Sequence, residues 1–267
     1  MRIEVGTRAI VTGASRGIGR ALCEALATRG ARLGLLARGR EGLEELAKEL
    51  PAHPDAEHVV LAADVGRRRE VERAVERFTK RTGGLDLLIA NAGVAHYGPF
   101  PDVEVEKAEE MVRINVLGTM YTVEAGLGPM LDAAHGHVVV VSSGAGIRAF
   151  PSAAVYGGTK AFGRGFAEAL RHELSGSGVG VTTVFPGEVE SSLHDHQRER
   201  LPDWRRGDHM IPARQAAEDA IAAIEADRRA VHTPRLVRLL GLNGIAPRLT
   251  DHLVARARGA TAAPRRD

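Results

Sequence analysis

A tyrosine and a lysine near the middle of the chain have the types and spacing needed for acid–base chemistry. Tyr156 and Lys160 stand four positions apart in a predicted helix, which puts both side chains on one face. A free phenol has a pKa of about 10 and is a poor base at neutral pH. A nearby ammonium group favours the phenolate and lowers that pKa toward the working range. The pair predicts proton transfer with a substrate; taken alone, it is also explained by two residues that share a surface helix by chance.

Further polar residues follow predicted strands of the same chain. Ser142 and Ser143 come directly after a run of valines, and Asn91 follows another apolar run. The carboxyl ends of parallel strands form the edge at which doubly wound sheets bind ligands. Asn115 lies inside a long predicted helix, where Asn is a poor helix former and calls for another reason to be present. We therefore expect these side chains to join the Tyr–Lys pair at one site.

A glycine-rich turn joins the first predicted strand to the first predicted helix. Residues 12–19 read Thr-Gly-Ala-Ser-Arg-Gly-Ile-Gly, with glycines at Gly13, Gly17 and Gly19. Such glycines let a pyrophosphate approach the backbone, and the helix N-terminus offers N–H groups and a positive dipole end to the phosphates. The spacing G-x-x-x-G-x-G differs from the commoner G-x-G-x-x-G. Its strand–turn–helix context, more than the glycines themselves, predicts a dinucleotide site.

Two arginines indicate which dinucleotide is bound. An acidic residue at the end of the second strand would bind the ribose 2′-hydroxyl of NAD, but here Ala37 is followed by Arg38, and Arg16 lies within the glycine turn. Guanidinium groups bind a 2′-phosphate in a bidentate manner. The sequence predicts NADP(H) in preference to NAD(H); the alternative is that Arg38 is a solvated surface residue.

The elements that position these residues alternate regularly. Apolar runs predict strands at 8–12, 32–37, 58–63, 85–90, 137–141 and 179–185, with an edge strand at 230–233. Helical spacing predicts helices at 19–29, 41–50, 67–81, 105–131, 153–174 and 213–227. Nearly continuous apolar strands are typical of parallel sheets covered on both faces. The pattern predicts an α/β fold with a single doubly wound, Rossmann-type parallel sheet and helices on both faces.

Together these motifs resemble the short-chain dehydrogenase/reductase family over roughly residues 5–235. The likeness rests on six features in chain order: the turn from Thr12 to Gly19, Asn91-Ala-Gly93, Asn115, Ser143 thirteen residues before Tyr156, Tyr156-x-x-x-Lys160, and Pro186-Gly187. The resemblance implies an enzyme that transfers a hydride between a nicotinamide cofactor and a carbonyl or secondary alcohol.

The resemblance also implies a role for each catalytic residue. Tyr156 would protonate the carbonyl oxygen during reduction and act as the base in the reverse direction. Lys160 would lower the pKa of Tyr156 and hydrogen-bond the nicotinamide ribose. Ser143 would hold and polarise the substrate oxygen, with Ser142 as the alternative. Asn115 would position a water molecule that links Lys160 to solvent.

A larger set of residues is implied to contact the cofactor. Asp64 and Val65 match the segment beside the adenine, and Ser191 stands where the family usually has a Thr that binds the carboxamide. The implied contacts are Gly13, Ser15, Arg16, Gly17, Ile18, Gly19, Arg38, Asp64, Val65, Asn91, Gly93, Tyr156, Lys160, Pro186, Gly187, Val189 and Ser191.

Composition excludes several other classes of protein. The single cysteine, Cys23, rules out an intrachain disulfide and a Cys-based zinc site, and we expect it in the core. His194 and His196 are interpreted as surface residues, so no metal is predicted. No apolar run approaches the roughly 18 residues that span a bilayer, and no signal peptide is apparent. We expect a cytoplasmic protein.

The C-terminal part departs from the family pattern. Residues 228–267 carry nine Arg against two Asp, under an overall net charge of +2. We divide the chain into a catalytic domain, 1–233, and a basic, amphipathic extension, 234–267, with a further helical stretch at 249–258. The extension has three interpretations: a lid on the substrate pocket, part of an oligomer interface, or a weak contact with an anionic membrane surface.

The substrate itself is predicted in chemical outline. Loops beyond the strand ends offer a partly apolar pocket, with Tyr97, Phe100, Ile147, Phe150, Leu193 and Trp204 as candidate lining residues. This predicts a carbonyl or alcohol of lipophilic character as the small-molecule substrate. We also expect a homodimer or homotetramer that binds no nucleic acid. The alternatives are an epimerase or dehydratase of the same fold, and a non-catalytic NADP-binding scaffold or sensor.

Overall fold

A computed structural model of the chain describes residues 1–51, 58–190, 210–244 and 247. The strands form one seven-stranded parallel sheet in the order β3-β2-β1-β4-β5-β6-β7. Their bounds are β1 Arg8–Thr12, β2 Arg32–Ala37, β3 Val59–Ala62, β4 Leu87–Ala90, β5 Gly136–Val141, β6 Val179–Pro186 and β7 Ala230–Thr233. The predicted fold class and every predicted strand are confirmed, with ends that shift by up to two residues.

Helices cover both faces of this sheet. Their bounds are α1 Gly17–Thr28, α2 Arg40–Glu49, α3 Arg68–Thr82, α4 Val105–Met111, α5 Gly118–Asp132, α6 Gly144–Ile147, α7 Ala154–Glu173 and α8 Ala213–Glu225. Helices α1, α2 and α8 pack in one hydrophobic cluster, and α3, α5 and α7 pack in a second one. The sheet is therefore the middle of three layers, as in other doubly wound folds.

The strands are apolar throughout because each has a core on either side. Successive side chains of a strand point to opposite faces, and accordingly Ile10 belongs to one cluster while Val11 belongs to the other. All six residues of β5 are buried. Cys23 lies fully buried on α1, as expected, and burial raises the pKa of its thiol well above the ordinary value.

The sheet order creates the site. Strands β1 and β4 are neighbours although they are far apart in the chain, and the connections run outward from them in opposite directions. At such a switch point the loops after the strands diverge and leave a crevice at the carboxyl edge. The glycine turn follows β1, Asn91 follows β4, and Ser142 follows β5. These candidate site residues therefore lie together at the crevice.

The long helix predicted at 105–131 proves to be interrupted. A π-helical segment, Val112–Leu117, separates α4 from α5, and Asn115 lies within it. Such bulges commonly occur at functional sites. The presence of Asn115 in a predicted helix indicated that this position is unusual, but it did not predict a π-helical segment.

Helix α6, which follows β5 after two intervening residues, was not predicted. The amphipathic extension begins with a 3₁₀ helix, Arg235–Gly244. The further helical stretch expected at 249–258 lies outside the described residues. No helix in the described part of the chain is long and apolar enough to cross a membrane.

Candidate active site

A cleft of about 660 Å³ runs along the carboxyl edge of the sheet. One end is lined by the glycine turn and the residues after β2 and β3, the middle by Asn91, Tyr156 and Lys160, and the other end by Leu236, Val237 and Leu240. Its volume falls in the range of cofactor and small-molecule sites. The cleft thus connects the predicted dinucleotide site with the predicted proton-transfer pair.

The glycine turn is shaped by two separate constraints. Gly13 and Gly17 have positive φ angles of 67° and 55°, a conformation that side chains disfavour. A Cβ atom at Gly19 would lie 2.2 Å from the Gly13 carbonyl oxygen and 2.6 Å from Asn91 Nδ2, so only a glycine fits there without movement. Ser15, Arg16 and Ile18 complete the turn and also line the cleft.

Asn91 holds the two central strands together at this edge. Its Nδ2 donates a hydrogen bond to the Thr12 carbonyl oxygen at 2.8 Å, and the backbone amides of Asn91 and Ala92 donate to Thr12 Oγ1 at 3.0 Å. This side chain, a predicted cofactor contact, therefore also joins β4 to β1. Thr12 was not predicted as its partner, because the two residues are 79 positions apart.

The end of the cleft that is predicted to hold the adenosine carries charges of both signs. Arg16, Arg38 and Asp64 line it, and Asp64 accepts hydrogen bonds from the Gly66 amide and from Arg113 Nη1, both at 2.9 Å. Burial raises the pKa of the Asp64 carboxyl, but the Gly66 amide and Arg113 outweigh it, with a smaller contribution from Arg38. The net pKa is below the ordinary value, so Asp64 is an anion.

Val65 lines the cleft beside Asp64 and is nearly buried. A Cβ atom at Gly118 would lie 2.8 Å from Val65 Cγ2, which explains a glycine at the start of α5. Arg113 was not foreseen as the partner of Asp64, because nothing in the sequence places α4 and its π-helical extension beside the end of β3.

Tyr156 and Lys160 lie on the buried face of α7. Lys160 Nζ is 6.0 Å from the centroid of the Tyr156 ring and donates a hydrogen bond to the Val141 carbonyl oxygen at 3.0 Å. Burial lowers the pKa of Lys160 from 10.5 to about 8, which leaves the ammonium form predominant at neutral pH. On its other side the Tyr156 ring packs against Tyr97 with a centroid distance of 5.8 Å.

The two serines after β5 have different surroundings. Ser142 Oγ is buried and donates a hydrogen bond to the Lys160 carbonyl oxygen at 2.7 Å, so it connects the sheet to α7. Ser143 caps α6, and its Oγ accepts a hydrogen bond from the Ala145 amide at 3.1 Å. Ser143 is also the more accessible of the two and lines the cleft near Tyr156. The geometry favours Ser143 for contact with a substrate.

Both polar atoms of the Asn115 side chain are hydrogen-bonded within the protein. Its Oδ1 accepts from the Val94 amide at 2.8 Å, and its Nδ2 donates to the Val94 carbonyl oxygen at 2.9 Å and to Thr159 Oγ1 at 3.0 Å. Asn115 thereby fixes the loop after β4 to α7. A Cβ atom at Gly93 would lie 3.3 Å from both Asn115 Oδ1 and Lys160 Nζ, so these two polar groups border the same small space.

The far end of the cleft is apolar. Tyr97 and Phe150 line it, as predicted, together with Val237 and Leu240 of the 3₁₀ helix. Phe100 is instead 66% exposed at the surface. Neither Phe100 nor Ile147 is among the residues that line the cleft, while Leu193 and Trp204 lie outside the described residues.

The segment after β6 borders this apolar end. Pro186, Gly187 and Val189 line the cleft, and the Gly187 amide donates to the Thr233 carbonyl oxygen at 2.8 Å. Glu188, which sequence analysis did not select, lines the cleft as well. Ser191, His194 and His196 lie outside the described residues. Within the part of the chain that is described, no three His, Cys, Asp or Glu side chains are grouped as metal ligands.

Comparison with known proteins agrees with this geometry. The family model described as short chain dehydrogenase matches residues 7–202. An uncharacterized oxidoreductase of Staphylococcus saprophyticus is 32% identical over 217 residues, which cover 81% of this chain and 90% of that protein. The chain therefore belongs to the short-chain dehydrogenase/reductase family and is an oxidoreductase, as its motifs predicted.

Solved structures share the whole architecture. A short-chain dehydrogenase/reductase from Burkholderia phymatum, in complex with NAD, matches 94% of this chain with a TM-score of 0.85 and 25% identity. An alcohol dehydrogenase from the archaeon Thermococcus sibiricus, complexed with 5-hydroxy-NADP, matches 85% of the chain with a TM-score of 0.75 and 26% identity. Coverage of 97% and 95% of those two chains shows that the fold is shared nearly end to end.

Proposed function

We propose that this protein is an NADP(H)-dependent oxidoreductase that interconverts a carbonyl and a secondary alcohol in a lipophilic small molecule. One observation carries the proposal: a single cleft joins a glycine turn suited to a pyrophosphate, a buried Tyr–Lys pair and an apolar end. The Tyr–Lys pair would lie between a dinucleotide at the glycine turn and a substrate at the apolar end, where the two ligands would meet.

The residues present fit a dinucleotide. A side chain at Gly19 would collide with the Gly13 carbonyl and with Asn91, so glycine keeps the turn tight, and α1 begins within it at Gly17. The nicotinamide cofactor would supply the hydride chemistry when bound. Residues of the glycine turn would hold the pyrophosphate, Asp64 and Val65 the adenine, and Pro186 and Gly187 the nicotinamide end.

Tyr156 supplies the proton in this proposal. Its hydroxyl would protonate the carbonyl oxygen during reduction and take the proton back during oxidation. The Lys160 ammonium, held in place by the Val141 carbonyl, would favour the phenolate form of Tyr156. Ser143 would hold and polarise the substrate oxygen. Asn115 and Lys160 border a common space beside Gly93, where a water molecule could connect Lys160 to solvent.

The preference for NADP(H) rests on two arginines and a missing carboxylate. Arg16 and Arg38 line the adenosine end of the cleft, and β2 ends in Ala37 where an acid would select NAD. Initial rates with NADPH and NADH, at saturating carbonyl substrate, test this preference. We expect a lower KM for NADPH, and Arg38→Ala should raise that KM while leaving the KM for NADH nearly unchanged. Equal KM values for the two cofactors in the wild type would contradict it.

The substrate class is tested with a graded series of ketones and aldehydes. Tyr97, Phe150, Val237 and Leu240 enclose the substrate end, so kcat/KM should rise with the apolar size of the carbonyl compound until the pocket is filled. NADPH consumption should match alcohol formation one to one. Product formed without net NADPH consumption would instead favour epimerisation or dehydration, and no turnover with any carbonyl would favour a binding protein.

The C-terminal 3₁₀ helix also supports a proposed membrane contact. In a helix with about three residues per turn, positions 236, 239 and 242 fall on one side. The leucines at these positions are 74%, 58% and 50% exposed, while Val237 is buried. Arg235 and Arg238 lie beside this stripe, and a surface of leucines edged by arginines suits an anionic bilayer. Such a contact would bring the cleft to a lipophilic substrate.

Sedimentation with anionic liposomes tests this contact. We expect the intact chain to bind more than a chain truncated after Thr233, and the difference to fall at high salt. Equal binding, or binding that salt does not affect, would remove the membrane proposal.

Light scattering would show whether the protein is a homodimer or homotetramer, as we propose, and whether truncation changes that state. We also propose a cytoplasmic location.

A further inference from the structure

Glu110 on α4 connects the adenosine end of the cleft with the loop beside Tyr156. Its Oε1 is 3.9 Å from Arg38 Nη1, and its Oε2 is 3.1 Å from His96 Nε2. The Lys107 ammonium group lies 3.9 Å from the same Oε2. The Glu110 side chain is 25% exposed, whereas that of Arg38 is 56% exposed. The carboxylate is therefore the more enclosed of the two groups, and the guanidinium that faces it is largely open to solvent.

Arg38 is the residue that we expect to meet the 2′-phosphate of NADP(H). Such a phosphate carries nearly two negative charges at neutral pH. The Glu110 carboxylate lies near the same guanidinium, so it competes with the phosphate for the Nη1 donor and repels it. Asp64 also influences Arg38, but Asp64 is already bound to Arg113. Among the described residues, Glu110 is the acid that forms an ion pair with Arg38.

His96 explains why Glu110 stays at this position. The imidazole is buried beside α4 and contacts one oxygen of Glu110, which leaves the other oxygen turned toward Arg38. The His96 amide also donates to Met111 Sδ at 3.4 Å, so the backbone of this loop is attached to α4 too. Tyr97, the next residue, packs against Tyr156. The contact with His96 thus holds one oxygen of Glu110 against the loop after β4.

We propose that Glu110 is a specificity-determining residue that weakens the binding of the 2′-phosphate by competing for Arg38. This inference rests on the proposed preference for NADP(H) and adds a residue that opposes it. Specificity is a difference between two affinities and is commonly adjusted by repulsive as well as attractive groups. A nearby acid lowers the affinity for NADP(H) alone, since NAD(H) has no phosphate at that position.

The test compares Glu110→Gln with Glu109→Gln in the full-length chain. Glu109 is exposed and precedes Glu110 on α4, so the two side chains point about 100° apart around the helix axis. Its replacement makes the same change in net charge but on a side of the helix that does not face Arg38. Dissociation constants for NADPH and NADH are measured by calorimetry without substrate. We expect Glu110→Gln to lower the Kd for NADPH about three- to tenfold and to change the Kd for NADH less than twofold. Glu109→Gln should change neither Kd appreciably.

The same substitution in an Arg38→Ala background tests the route of the effect. If Glu110 acts through Arg38, the gain in NADPH affinity should shrink to less than half; a gain of full size would overturn the proposal. An unchanged or higher Kd for NADPH in Glu110→Gln, or an equal gain for NADH, would overturn it as well. Thermal unfolding verifies that each variant is folded. Lys107→Gln is a second variant: it removes the positive charge beside Glu110, so the Kd for NADPH should rise.

Failure of this inference is distinguishable from failure of the proposed function. The cofactor preference is read from the wild-type constants for NADPH and NADH. The role of Glu110 is read from the ratio of the variant to the wild type for NADPH alone. A wild type that binds NADH better would contradict the preference, while the ratio would still report whether Glu110 opposes the phosphate.

Discussion

The two ends of the cleft are built in different ways. At the dinucleotide end the backbone sets the shape, because Gly13 and Gly19 leave no room for side chains and Asn91 joins β1 to β4. At the substrate end side chains set the shape, and the wall formed by Val237 and Leu240 belongs to a 3₁₀ helix on the outside of the sheet. The first end admits little variation in sequence, whereas the second can change its residues without disturbing the sheet.

This contrast indicates how one fold serves many substrates. A dinucleotide is common to the family, and a site made of backbone and glycine suits a ligand that does not change. The substrate differs between members, and loops and terminal segments change at little cost to the core. Tyr156 and Lys160 lie where the two ends meet.

The largest expected effect is at this meeting point. Tyr156→Phe removes the hydroxyl that transfers the proton in the proposed reaction, so kcat should fall about a thousandfold or more while the Kd for NADPH stays within about twofold. Tyr121→Phe, on α5, removes the same atom away from the reacting groups and should leave kcat unchanged. Turnover of Tyr156→Phe near the wild-type rate would refute its role as the general acid.

Lys160→Met should stabilise the fold while it abolishes turnover. Burial lowers the pKa of Lys160 from 10.5 to about 8, so the folded chain holds this proton less tightly than the unfolded chain. Below pH 8 the buried ammonium group destabilises the fold by its full amount. As the pH rises from about 8 to 10.5 this destabilisation disappears, because in that window Lys160 binds a proton more often in the unfolded state than in the folded state. At pH 7 the variant should unfold with a free energy higher by up to about 3 kcal/mol, less the lost hydrogen bond to Val141.

Urea unfolding of both proteins measures this difference. The advantage of Lys160→Met should be greatest at pH 7 and should narrow as the pH approaches 10. A variant that is no more stable than the wild type at pH 7 would show that burial of the ammonium group carries no such cost.

Gly19→Ala should damage the dinucleotide end. The new Cβ would lie 2.2 Å from the Gly13 carbonyl oxygen, so the turn must shift, and we expect the Kd for NADPH and for NADH to rise about thirtyfold. Gly165→Ala, on α7, meets no atom within 4 Å and serves as the matched control. The control should bind normally and gain up to about 1 kcal/mol in stability. Normal cofactor binding by Gly19→Ala would contradict a backbone-determined site.

The smallest effect is expected at the substrate end. Leu240 lines the cleft and Leu239, its neighbour, is 58% exposed. Leu240→Ala should raise the KM for a bulky ketone about fivefold through lost apolar contact, with kcat little changed. Leu239→Ala should not change KM by more than about 1.5-fold. Equal effects of the two substitutions would mean that the 3₁₀ helix does not form the wall of the pocket.

The contrast also explains what the sequence could predict. The glycine turn and the Tyr156–Lys160 spacing are short-range patterns, and the alternating strands and helices follow from apolar periodicity, so the fold and the position of the site were accessible. Asn115 was recognised because Asn is out of place in a helix. The ion pair between Asp64 and Arg113, and the Glu110–His96 contact, join residues whose proximity depends on tertiary packing. No local pattern encodes them.

The substrate end was less predictable for a related reason. Of the six apolar residues proposed from the sequence, Tyr97 and Phe150 line the cleft, while Phe100 and Ile147 do not. An aromatic residue in a loop gives no indication of the direction in which its side chain will point. The 3₁₀ helix has three residues per turn, so a pattern read with a period of 3.6 does not separate Leu240 from Leu239.

The attachment of Lys160 to β5 has a consequence for motion. Its carbonyl oxygen accepts from Ser142 Oγ and its Nζ donates to the Val141 carbonyl, so main chain and side chain are anchored to consecutive residues of one strand end. Helix α7 cannot slide or rotate along the sheet without breaking both bonds. We therefore expect any opening and closing of the cleft to occur at the opposite wall, where the 3₁₀ helix after β7 meets solvent. The wall that carries Tyr156 and Lys160 should keep its position while the apolar wall moves.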